Sequence, residues 1–106
     1  MRLTITGRRV KIPETLESLL RSKAEKLERF GHKLIAAHAI FGREKYLYTA
    51  ELTLSAKGLR LVGKGEHPHD MLTSMEEALA HLETQLKRRE QKRALEQRRR
   101  VPRRPA

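Results

Sequence analysis

The chain has 106 residues, with 24 Lys and Arg against 13 Asp and Glu, a formal net charge of +11. That length fits one domain with a modest core and leaves no room for a second. The absence of cysteine excludes a disulfide framework and a thiolate metal site and suits a reducing cytoplasm, the start "MRLTITGRRVKI" lacks the apolar run of a signal peptide, and no window approaches the roughly 18 consecutive apolar residues of a membrane span.

The charge is unevenly placed. Between Lys87 and Arg104 ten basic residues stand against two acidic ones, which is +8 of the total, so the remainder is nearly balanced. A surplus this concentrated on a small chain points to a polyanionic partner, nucleic acid ahead of an anionic membrane surface.

Leu3 and Ile5 alternate with Arg2, Thr4 and Thr6, the period-two pattern of a strand with one buried face, and Gly7 is expected to end it. Pro13 suits a first helical turn, and Glu14 and Glu17 favour the positive end of a helix dipole. Leu16, Leu19, Leu20, Ala24, Leu27 and Phe30 recur at helical spacing, which predicts a first helix over 14–30 with Gly31 as its cap.

The next stretch alternates instead. Tyr46, Tyr48, Ala50, Leu52, Leu54 and Ala56 share one face of a long strand, and the punctuation "GREK" and "AKG" divides the region into strands over 35–41, 46–56 and 59–65 joined by short hairpins. Gly63 and Gly65, in "GLRLVGKGE", match neither the P-loop nor the dinucleotide pattern; they mark a bulge or a helix crossing close over the strand.

After "EHPHD", Asp70 is a good N-cap, and Leu72, Met75, Leu79, Leu82 and Leu86 step by three and four along a second helix. The stripe's continuation falls on Arg89 and Arg93, so packing is expected to stop near Leu86 while helical composition persists to Arg100. The fold class is therefore α+β, in the order β-α-β-β-β-α, a four-stranded sheet with two helices packed side by side on one face. Residues 1–93 form the domain, and 94–106 form a basic extension, partly helical or disordered.

On a helical wheel His81, Gln85, Arg88 and Lys92 share a narrow arc, while Glu76, Glu83 and Glu90 occupy a separate flank. Lys23, Lys26 and Arg29 follow one edge of the first helix's stripe, and with both helices on one sheet face they are expected to border that arc and form a two-helix basic surface. Only four aromatics are present, and Phe30, Phe41, Tyr46 and Tyr48 fall at predicted core-facing or strand positions, so a base-stacking platform is not expected. Recognition should read shape and phosphate rather than sequence.

Little else carries chemistry. His67, His69 and Asp70 flank a proline in a polar loop and read as a turn, not a metal site, and no cofactor is expected. Ser18, Ser22, Ser55 and Ser74 lie in no nucleophile elbow, so the chain does not read as an enzyme.

The order of elements, together with "ITGRRVKI", "KAEKLERF" and "HDMLTSMEEALAHLETQLKRREQK", resembles the ribosome hibernation promoting factor family, which includes ribosome-associated inhibitor A and is also called the sigma-54 modulation family. The last segment is similar to the family's "DMYAAID...KLxRQLxKHKxK" signature, and the resemblance covers about 1–93. It implies a domain that binds the small ribosomal subunit, its RNA and proteins, in the channel between head and body. There it overlaps the mRNA and the A-site and P-site tRNAs and blocks translation in stress or stationary phase.

Matching the family's basic contacts residue by residue gives Lys23, Lys26, Arg88 and Lys92, to which the wheel adds Arg29, His81 and Gln85, and the neighbouring cations Lys87, Arg89 and Arg93 complete the candidate RNA-binding set. His81 and Thr84 stand where the family carries Lys and Arg, and Leu72 stands for the family's Tyr; Lys87, Arg89, Arg93 and the arginine tail are the cations available in their place. The resemblance is to a short form, monomeric off the ribosome, cytoplasmic and without a membrane partner. Two other readings stand beside it: a protein-interaction regulator, and a general binder of structured RNA or duplexes.

Overall fold

The computed structural model of the protein describes residues 2–30 and 34–100. The chain runs β1 (Arg2–Arg8), α1 (Glu14–Lys26) with a 3-10 turn over Leu27–Phe30, β2 (Leu34–Glu44), β3 (Leu47–Ala56), β4 (Leu59–His67) and α2 (Met71–Arg100). The four strands form one sheet in the order β1-β2-β3-β4. β1 runs parallel to β2, as a helical crossover through α1 requires, and the remaining pairs are antiparallel hairpins.

Register explains the core. Leu3, Ala37, Leu54 and Leu61 form one row across the sheet, Ile5, Ala39, Leu52 and Gly63 the next, and Gly7, Phe41, Ala50 and Gly65 a third. These positions face the helices, whose Leu16, Leu20, Leu27, Met75, Ala78, Leu79, Leu82 and Leu86 complete a single buried cluster. The opposite sheet face carries Thr4, His38, Thr53 and Val62 and the rows beside them, mostly small or polar apart from Val62 and Ile40, as a face without a helix layer tolerates.

The two glycines of β4 resolve one alternative left open by the sequence: the helix passes close. A Cβ on Gly63 would overlap the Ala78 carbonyl and lie 2.8 Å from Leu82 Cγ, and one on Gly65 would overlap the Ser74 carbonyl and lie 2.9 Å from the Ala78 nitrogen. Ser74, Ala78 and Leu82, one helical turn apart, thus ride on a glycine track, and all three are fully buried. The Ser74 hydroxyl avoids an orphaned polar group by donating to the Met71 carbonyl at 2.7 Å.

Several boundaries differ from the sequence expectation. Gly7 does not end β1, because the strand keeps pairing with β2 through Arg8 opposite Gly42. α1 stops at Lys26 and tightens into the 3-10 turn, while Pro13 is the N-cap rather than a helical residue. The Gly31 cap and the residues after Arg100 lie outside the described residues. Tyr46 was expected on the core face of the third strand, yet it is 81% exposed. Pairing of Glu44 with Leu47 leaves Lys45 and Tyr46 as a two-residue hairpin apex, which turns the ring outward.

Candidate nucleic-acid interface

α2 begins with a cap that the sequence announces. The Leu72 amide donates to Asp70 Oδ1 at 3.0 Å and the Thr73 hydroxyl donates to Oδ2 at 2.8 Å. The Thr73 hydrogen bond, with help from the Leu72 amide and the nearby His67, holds the Asp70 carboxyl below its ordinary range. Both carboxylate oxygens are thereby committed to the helix. The His69 amide donates to His67 Nδ1 at 3.2 Å. "EHPHD" is a turn and a cap, and among the described residues no three candidate metal ligands converge.

The far end of α2 carries the charge. Leu86 is the last buried side chain, and every described side chain from Lys87 to Glu96 is exposed, including Leu95 at 53%. The helix nevertheless continues to Arg100, roughly 20 Å beyond Leu86 at 1.5 Å per residue. Lys87, Arg88, Arg89 and Lys92 are therefore exposed on and beyond the last packed turn; the Arg93 side chain lies outside the described ones.

The two helices do not combine their cations as expected. Lys23, Lys26 and Arg29 line a shallow groove of about 280 Å³ whose far wall is Glu76, Leu79, Ala80 and Glu83, the acidic flank of α2. Arg29 Nη2 donates to Glu83 Oε1 at 3.4 Å, and Lys87 Nζ approaches the same oxygen at 3.7 Å. Gln85, in the middle of the expected arc, donates from Nε2 to the Val62 carbonyl on β4 at 2.9 Å. That bond faces the arc of His81, Gln85, Arg88 and Lys92 toward the outer β4 edge, away from α1, so the expected continuous two-helix surface is replaced by two basic strips on opposite flanks of α2. The wheel gives angles around one helix, but which flank meets the neighbour is decided by where the crossover lays α1.

Glu83 is the residue the sequence reading missed. It appeared there only as part of an acidic flank, whereas it joins a cation of α1 to one of α2. A paired basic groove beside an exposed basic overhang suits contact with a polyanion; nothing in it assembles a nucleophile and base.

The geometry defines a small α+β domain with cationic strips along its helices, and comparison with known proteins gives the family. The family described as "Sigma 54 modulation protein / S30EA ribosomal protein" matches residues 3–94, and the chain belongs to it. This is a non-enzymatic family. The ribosome hibernation promoting factor of Escherichia coli K12 is 28% identical over 92 residues, covering 87% of this chain and 96% of that one, and its Shigella flexneri counterpart gives the same figures. Among solved structures, a ribosomal subunit interface protein from Coxiella burnetii shares the fold with a TM-score of 0.73 and 24% identity over 86% of this chain and 99% of that one. The N-terminal domain of Thermus thermophilus Protein Y does so with a TM-score of 0.74 and 23% identity over 83% and 98%. Among the described residues no helix is long and apolar enough to cross a membrane.

Proposed function

We propose that the chain is a ribosome hibernation factor, acting in the cytoplasm as a monomer that docks in the mRNA and tRNA channel of the small ribosomal subunit and silences translation by occupancy. One observation carries the reading: the family match spans the whole packed domain, residues 3–94, and the basic strips lie on that same span. Lys23, Lys26 and Arg29 serve one flank. His81, Gln85, Arg88 and Lys92 serve the other, and Lys87, Arg89 and Arg93 extend the contact along the overhang. No bond is made or broken; the work is phosphate neutralisation and steric exclusion.

The test is co-sedimentation with purified small subunits over a salt series, alongside translation of a reporter message. Six phosphate contacts imply roughly a thousandfold loss of affinity between 50 and 200 mM salt. Binding should compete with initiator tRNA, and reversing Lys23, Lys26, Arg88 and Lys92 to Glu should abolish it. Full translation at saturating protein, or unimpaired docking of the fourfold variant, refutes the reading.

A further inference from the structure

Among the described residues the non-glycine positions with positive φ are Arg9, at 60°, and Lys45, at 52°. Both are cations, and both lie at the end of the sheet where β1 finishes and β2 turns into β3. Left-handed backbone is a conformation that glycine adopts freely and an L-residue resists, and two-residue hairpin loops favour Gly, Asn and Asp. Lysine at such an apex sacrifices fold stability, and strain retained in this way concentrates at functional positions.

The residue after Lys45 is Tyr46, whose ring is 81% exposed. Phe41, by contrast, is fully buried, and Tyr48 is half-buried with the Arg43 guanidinium carbon 5.1 Å from its ring centre. Arg9 and Arg43 form the ridge between two clefts at this end, one of about 640 Å³ on the helix side and one of about 550 Å³ on the open sheet face. The pole therefore presents an exposed tyrosine with Lys45 beside it and with Arg9 and Arg43 at the adjoining clefts, whose linings also include Glu44, Glu66 and Asp70.

We propose that this hairpin pole is a second RNA contact, in which the Tyr46 ring stacks on an unpaired base while Lys45 and Arg9 hold the flanking phosphates. A base inside a duplex has both faces covered, so the partner is a splayed or single-stranded nucleotide. The position also separates this contact from the helical ones. Tyr48 pairs with His67 at the end of β4, a few residues before α2 begins, so the pole lies beside the start of α2 and roughly 45 Å from its end. This inference rests on the ribosome reading and adds to it a contact that depends on an unpaired base.

The test uses Tyr46→Trp in the full chain, which contains no tryptophan, so the difference between its emission and that of the parent chain at the same concentration of small subunits reports this position alone. On adding small subunits the emission should be quenched, as stacking on a base requires. A blue-shifted rise in intensity, the sign of burial against a protein surface, overturns the proposal, and so does an unchanged spectrum. Tyr46→Ala should weaken binding about five-fold or more while Tyr46→Phe keeps it.

Lys45→Gly should raise the melting temperature by a few degrees, roughly the relief of one left-handed L-residue, and yet weaken ribosome association. A residue with only a folding role cannot give those opposite signs, and unchanged affinity overturns the phosphate contact. If the parent chain itself fails to co-sediment, the ribosome reading falls and takes this one with it. A parent that pellets beside a silent Tyr46→Trp reporter overturns this inference alone.

Discussion

The glycine track under α2 makes the sharpest claim about stability. In Gly65→Ala the new methyl overlaps the Ser74 carbonyl, lies 2.9 Å from the Ala78 nitrogen and 3.0 Å from Glu77 Cβ, whereas carbon atoms pack best at about 3.5–4.0 Å. The obstacles include helix backbone, so no flexible side chain can swing away; α2 must move out by about an ångström or more. Met75, Ala78, Leu82 and Leu86 are fully buried, and a gap of that size forfeits a quarter to a half of the dispersion attraction along their contacts. Overpacking of this kind costs about 3 kcal/mol, and the stiffer unfolded chain of an alanine returns somewhat under 1. A net loss of about 2 kcal/mol should lower the melting temperature by roughly 8–16 °C for a domain of this size. Gly63→Ala should behave similarly through Ala78 and Leu82, whereas Gly58→Asn, at a hairpin with φ of +71° and open space around it, should melt close to the parent. Thermal melts by circular dichroism decide it: a Gly65→Ala chain melting within 2 °C or so of the parent refutes the close-approach argument.

Three further outcomes follow from the charges. Asp70 has a folded pKa below its ordinary 3.8, so the stability it contributes is present above the unfolded value and is lost as pH falls through the folded one; Asp70→Ala should melt below the parent at neutral pH, and the gap should close in acid below about pH 4. Glu83→Gln should change stability little, because exposed ion pairs contribute only about 0–1 kcal/mol, but it removes a carboxylate that repels phosphate beside Arg29 and Lys87, so ribosome affinity should tighten about three-fold at low salt and converge with the parent at high salt. Because the basic strips face opposite ways, reversal of Lys23 with Lys26 and reversal of Arg88 with Lys92 should each flatten the salt dependence of co-sedimentation, and the two losses should add; strongly non-additive effects would return them to a single surface.

The elements and their order were legible because each has its own signal: period two in β1 and β3, steps of three and four from Leu72 to Leu86, and a carboxylate cap at Asp70. Even the end of packing was readable, since Arg89 and Arg93 occupy the stripe's next turns. Tyr46 was misread because alternation alone cannot say whether the first residue of such a run belongs to the strand or to the apex; that depends on how far the partner strand extends, and β2 pairs to Glu44. The Glu83 link between helices was beyond reach for a similar reason, since it joins residues 54 apart in sequence through the placement of α1.

That placement also bears on the shape of the partner. Had Lys23 and Lys26 bordered Arg88 and Lys92, one flat polyanionic surface would satisfy the protein. The structure instead turns one strip into the groove beside α1 and the other past the β4 edge, sealed there by the Gln85 bond to Val62, and carries further cations along an overhang clear of the domain. Surface cations on opposite flanks of one helix and facing different ways meet phosphate together only if the RNA reaches around it, because screening confines each to within about 10 Å at moderate salt. A plane could engage one strip at a time; a channel engages both, and it is this divergence of the strips, more than the total charge, that favours an enclosing site over a general affinity for duplexes.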